Sequence, residues 1–167
     1  MPDTYSFREA KINDLPLIVK WTEDLMEHEA MDESIEISLD DNVSELVSDW
    51  LTNLITDNNS LIIIATDDSQ TPAKATGLII GYLQLQPNNF TIFNMHGVIQ
   101  LVWVEKELRK TGLATQLVLH MEDTFKNLNV PYCEIQYSDS NSEAKAFWEK
   151  SGYTKVSHTC RKMLNHN

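Results

Sequence analysis

The sequence predicts an α/β domain with a central, mixed but mostly antiparallel sheet flanked by helices. Three observations carry this expectation. Short apolar runs bounded by polar turns crowd between Leu61 and Val104, with no helical periodicity among them. Two helical patterns precede that block and a longer one follows it. After the long helix comes another alternating run, so Val98–Val104, the helix and Tyr132–Tyr137 read as a crossover, which places its flanking strands parallel.

Each element has its own warrant. Thr4–Glu9 alternates weakly and is expected as a short strand. Asn13 or Asp14 caps the next helix, with Pro16 in its first turn and Leu15, Ile18, Val19, Thr22, Leu25 and Met26 at helical spacing. Glu27, His28, Glu29, Asp32 and Glu33 then read as an acidic, irregular stretch. Val43, Leu46, Val47, Trp50, Leu51 and Leu54 form one apolar stripe on a second helix, ended by Asp57-Asn58-Asn59. Leu61–Ala65, Gly77–Leu85 and Val98–Val104 are strands. Asp67–Lys74 is a polar hairpin loop containing Pro72, and Pro87–Asn94 is a polar excursion.

The long helix presents Leu113, Leu117, Met121, Phe125 and Leu128 on one face, and Pro131 follows it. Asn141 caps a short helix containing Ala144, Phe147 and Trp148, and Gly152 ends it as a left-handed residue. Tyr153–Leu164 is expected as two short strands or one bent strand.

Bulk properties narrow the partners. A chain of 167 residues suits one domain, so residues 1–167 are expected to fold as a unit. With 13 basic and 25 acidic side chains the formal charge is −12, which repels nucleic acid and anionic membranes and attracts cations. The two cysteines, Cys133 and Cys160, form no CxxC pair, and the five histidines show no ligand-like spacing, so no metal is expected. The first residues lack the apolar core of a signal peptide, and no apolar run is long enough to span a bilayer. A reducing cytoplasm is the expected compartment.

The chemistry concentrates in Val102-Trp103-Val104-Glu105-Lys106-Glu107-Leu108-Arg109-Lys110-Thr111-Gly112-Leu113-Ala114, which runs from a strand through a tight turn into the long helix. Gly112 permits the turn. The first amides of the helix lack intrahelical acceptors and form an anion site, and Arg109 and Lys110 add positive charge.

This segment resembles the coenzyme A signature of the GNAT superfamily of N-acetyltransferases, Arg/Gln-x-x-Gly-x-Gly/Ala, matched by Arg109, Gly112 and Ala114. Downstream, Asn141-Ser-Glu-Ala144-Lys-Ala-Phe147-Trp148-Glu-Lys150-Ser-Gly152-Tyr153 is similar to the second signature of that family, Asn-x-x-Ala-x-x-Phe-Tyr-x-Lys-x-Gly-Phe. Two signatures in the right order, separated by one strand, are far more specific than either alone.

The resemblance implies a GNAT-type fold and acetyl-CoA as acyl donor to an amine, attacked directly in a ternary complex. It implies that backbone groups of Val102, Trp103 and Val104 hold the pantetheine arm. It also implies that amides from Arg109, Lys110, Thr111, Gly112, Leu113, Ala114 and Thr115 hold the pyrophosphate, and that Asn141, Phe147 and Trp148 flank the pantetheine end. The acidic stretch Glu27–Glu36 falls in the variable region where the family binds acceptors. A small cationic amine is the expected substrate, and a homodimer is the assembly left open.

Two positions depart from the family pattern. Many members carry a Tyr where this chain has Trp148, and an indole N–H is no useful acid. Expelling coenzyme A as a thiolate at neutral pH costs about 2 kcal/mol, given a thiol pKa near 8.5, which positioning can offset. Several members place an acid at the position of Gln100, which here can only orient a water. A Lys-like amine must lose a proton at a cost of roughly 4.6 kcal/mol at pH 7. Glu134, on the opposite strand face from Cys133 and Ile135, is therefore the second candidate for the catalytic base. Acetylation of protein N-termini or lysines is one alternative. A non-catalytic acyl-CoA-binding module, suggested by Trp148 and Gln100, is another.

Overall fold

The computed structural model describes residues 5–30, 39–85, 94–160 and 162. They form two compact units, Met1–Gln136 and Tyr137–Asn167. The first contains β1 (Tyr5–Glu9), α1 (Leu15–Ala30), α2 (Val43–Thr56), β2 (Ser60–Asp67), β3 (Lys74–Leu85), β4 (Met95–Val104), α3 (Leu113–Asn127) and β5 (Cys133–Ile135). The second contains α4 (Ser142–Lys150).

The five strands lie in the order β1-β2-β3-β4-β5. Each of the first three pairs is antiparallel, and β4 and β5 are parallel, as a helical crossover requires. One sheet face is covered by α1 and α2 through Ile18, Trp21, Val47, Leu51, Ile62, Ile64, Leu78, Ile80 and Leu101. The other is covered by α3. There Gly81 and Gly97 leave space for Met121 and Phe125: a Cβ on Gly97 would stand 2.6 Å from the Phe125 ring.

The sequence-based expectations are corrected at several points. Nothing between Met26 and Ala30 breaks a helix, so α1 continues through Glu27, His28 and Glu29. Asp32 and Glu33 lie outside the described residues. Asn13 and Asp14 sit in a 3-10 turn, Ile12–Asp14, where the Asp14 carboxylate accepts the Lys11 N–H at 2.8 Å. Leu46 and Leu128, assigned to apolar stripes, are exposed. The strand expected over Tyr132–Tyr137 is only Cys133–Ile135. Among the described residues no strand follows α4. Most of Pro87–Asn94 lies outside the described residues.

Candidate active site

The bulge in β4 organises the site. The β3 register steps from Ile80↔Leu101 to Gly81↔Ile99, leaving Gln100 as the extra residue. The insertion shifts the strand's alternation. Gly97 faces Phe125 of α3, whereas Leu101 and Trp103, beyond the bulge, belong to the α1/α2 face.

The same strand presents a free edge. Pairing with β5 stops at Ile99↔Ile135, while pairing with β3 continues to Val104. The Glu105 N–H donates to the Thr76 carbonyl at 2.9 Å. By antiparallel alternation, Trp103 and Leu101 also turn their backbone groups toward β3, and Val102 and Val104 turn theirs to the side that β5 has left. The Val104 carbonyl accepts the Arg109 Nε–H at 3.3 Å. The Arg109 guanidinium also lies over the Trp103 ring, 4.8 Å from its centroid. It braces the strand end, which the sequence alone did not reveal.

The chain then turns tightly into α3. Lys106–Leu108 makes one 3-10 turn, and the Thr111 hydroxyl donates to the Leu108 carbonyl at 2.7 Å. Lys110 and Gly112 both have left-handed backbones, φ +65° and +95°. The first bond within α3 runs from the Gln116 N–H to the Gly112 carbonyl, so Leu113, Ala114 and Thr115 present amides without helical acceptors. A Cβ on Gly112 would meet nothing within 4 Å. Open space, unsatisfied donors and a positive helix end suit a pyrophosphate.

On the sheet face opposite α3, the β3 positions run Leu78, Ile80, Tyr82, Gln84, apolar under the helices and polar beyond them. Tyr82 and Gln84 pair with Val98 and His96, and Val98 in turn pairs with Glu134. His96 is buried, stacks on Tyr132 at 5.2 Å, and holds Nε2 3.7 Å from the Glu134 carboxylate. Glu134 is 49% exposed and Gln100 is exposed, so the candidate base and the candidate water-orienting residue are both accessible. His96 was missed in the sequence because its apolar neighbours gave no sign that a buried imidazole stood among them.

In the second unit, Asn141 Oδ1 accepts the Ala144 N–H at 2.9 Å and caps α4. The Tyr153 N–H returns to the Trp148 carbonyl and the Gly152 N–H to that of Glu149, with Gly152 at φ +92°, a helix end that needs a glycine. Trp148 is buried, with Phe147 and Tyr153 edge-on to it at 4.9 and 5.0 Å.

The sequence profile of the acetyltransferase (GNAT) family matches residues 21–153. The chain belongs to that family. No curated protein sequence matches it. Among solved structures, it is similar to a tetramutant of the BH1408 protein from Bacillus halodurans, with a TM-score of 0.82 at 17% identity over 95% of this chain and 99% of that one. A predicted acetyltransferase from Clostridium acetobutylicum, determined with acetyl-CoA, has a TM-score of 0.75 at 17% identity, covering 96% of each chain. An aminoglycoside antibiotic 6'-N-acetyltransferase from Acinetobacter baumannii has a TM-score of 0.67 at 16% identity, covering 98% of this chain and 99% of that one.

This GNAT protein is therefore an acyltransferase whose acyl donor is acetyl-CoA. The free edge at Val102 and Val104 and the amides opening α3 fit that donor. They offer donors and acceptors to a pantetheine amide and donors to a pyrophosphate. Among the described residues there is no cluster of groups that would hold a metal ion, and no helix is long and apolar enough to cross a membrane.

Proposed function

We propose that this acetyltransferase acts on a small primary amine, cationic in solution, which attacks acetyl-CoA directly in a ternary complex. The observation that carries this reading is the polar strip of Tyr82, Gln84, Gln100 and Glu134 beside the free edge of β4. The formal charge of −12 favours a cationic acceptor, and an aminoglycoside acetyltransferase among the structural relatives supports a small one. The family match spans both compact units, which supports one N-acetyltransferase domain over residues 1–167.

In this reading the pantetheine arm lies along Val102, Trp103 and Val104. The amides of Lys110, Thr111, Gly112, Leu113, Ala114 and Thr115 hold the pyrophosphate, whereas the expected contribution of the Arg109 amide is corrected: that N–H already donates to the Lys106 carbonyl at 3.3 Å. Asn141, Phe147 and Trp148 contribute to donor binding through the second signature. The ammonium first loses a proton to Glu134 through a water held by Gln100. Gln100 lies between Val98, which pairs with Glu134, and Val102 in the strand. The span from Val98 to Val102 is roughly 13 Å at ~3.3 Å per residue, enough for the amine and its water. The amine nitrogen then bonds to the thioester carbon while the oxygen takes negative charge near a β4 amide. Collapse re-forms the carbonyl, breaks the C–S bond and releases the thiolate; the nitrogen gives up its second proton to solvent and the thiolate takes one from solvent, leaving the amide and the free thiol.

The test is thiol release from acetyl-CoA with a polyamine, an amino sugar, an amino acid and a peptide N-terminus. Turnover with a small cationic amine is expected. Turnover with the peptide alone would overturn the proposal, as would binding of acetyl-CoA with no turnover on any amine.

A further inference from the structure

We infer that His96 is a positioning residue that holds the Glu134 carboxylate in the orientation proton acceptance needs. The inference rests on Glu134 as the base. His96 is 3% exposed although it is polar, and its ring meets Tyr132 on its face and Glu134 at its Nε2 edge. Tyr132 stacks on it nearly parallel, at 5.2 Å and 8°, and Glu134 Oε2 lies 3.7 Å from its Nε2. All three lie on the sheet face opposite α3, near Ile99↔Ile135, where β5 leaves β4.

A half-exposed glutamate on an edge strand would otherwise sample several rotamers. Contact with the Nε2 edge of a buried, stacked imidazole, at 3.7 Å and so longer than a direct hydrogen bond, narrows that choice while the side chain stays 49% exposed. The division of labour is physical: Tyr132 orients the ring, the ring orients the carboxylate, and the carboxylate meets the substrate's water. Gln84, which pairs with His96, and Tyr82, two positions before it on β3, lie on the same sheet face.

The experiment is a double-mutant cycle with steady-state kinetics on the best amine and acetyl-CoA affinity measured by calorimetry. Glu134→Gln should lower kcat about a hundredfold, the scale of a lost general base. His96→Leu should lower kcat about tenfold, the scale of releasing a glutamate's rotamers, with the affinity for acetyl-CoA unchanged. In the Glu134→Gln background, His96→Leu should cost almost nothing further; with Glu134 intact, His96→Gln, which keeps a polar side chain beside the carboxylate, should recover most of the loss. Tyr132→Leu, at an exposed position, should show a smaller loss of the same kind and serves if His96→Leu does not fold. Equal losses from His96→Leu or Tyr132→Leu in both backgrounds would overturn the inference, because a merely structural role does not depend on the carboxylate. A Glu134→Gln variant with full turnover would instead refute Glu134 as the base while leaving acetyl-CoA binding intact.

Discussion

Arg109 reaches back across the turn to Trp103, its guanidinium 4.8 Å from the ring centroid while Nε donates to the Val104 carbonyl at 3.3 Å. The first residue of the coenzyme A signature thus joins the end of β4 to the loop that opens α3. Arg109→Ala should destabilise the fold by about 1 kcal/mol, the scale of an exposed cation–π contact with one hydrogen bond. Arg109→Lys should recover little, since an ammonium has no planar face to stack. Urea unfolding of the three proteins measures this, and full stability in Arg109→Lys would show that charge alone suffices.

Gly112 separates backbone need from ligand need. At φ +95° an alanine is strained by roughly 1–2 kcal/mol, yet its Cβ meets no atom within 4 Å. Gly112→Ala should lower stability while changing coenzyme A affinity only a few-fold. Gly112→Asp places a carboxylate beside the α3 amides and should weaken binding at least tenfold beyond Gly112→Ala. Calorimetry on folded protein decides it, and equal affinities in the two variants would place the pyrophosphate elsewhere.

Gly97 is required by packing instead. Its missing Cβ would fall 2.6 Å from two Phe125 ring carbons, and Phe125 is buried in α3. Gly97→Ala should cost about 1–3 kcal/mol by overpacking. The second substitution Phe125→Leu should relieve part of it, and additive losses in denaturant melts would contradict this contact.

Asp14 links stability to pH. Arg8 donates to both its carboxylate oxygens at 2.8 Å, and the Lys11 N–H adds a third bond. The Arg8 hydrogen bonds foremost hold the Asp14 carboxyl below its ordinary range. A depressed carboxyl stabilises fully above its unfolded pKa of about 4, and the stabilisation fades as pH falls through the lower folded value. Because Arg8 is 44% exposed, the pair is worth about 1 kcal/mol or less. Asp14→Asn should therefore lower the melting temperature at pH 7 and converge with the parent protein once pH has fallen through the lowered folded pKa of Asp14, whereas a constant difference at all pH values would exclude the linkage.

Much of the fold was legible because it is written in local chemistry. Asn141 caps α4 and Gly152 ends it with a left-handed backbone, as side-chain reach and the lack of a Cβ dictate. The α3 stripe of Leu113, Leu117, Met121 and Phe125 is buried as its spacing required. Leu46 and Leu128 fit the same spacing and are exposed, since periodicity states which face a residue shares but not whether a neighbour covers it.

The sequence by itself determined the order of elements from β1 through α4, the parallel crossover and the residues that match the two family signatures, for these depend on neighbours a few positions apart. Only the tertiary structure decided that Gln100 is a bulge, that Val102 turns its backbone to a side without a strand, and that His96 meets Tyr132 and Glu134. Each depends on strand register. A one-residue shift reverses every side chain beyond it, so residues far apart in the chain meet or miss according to an alignment that no local segment specifies.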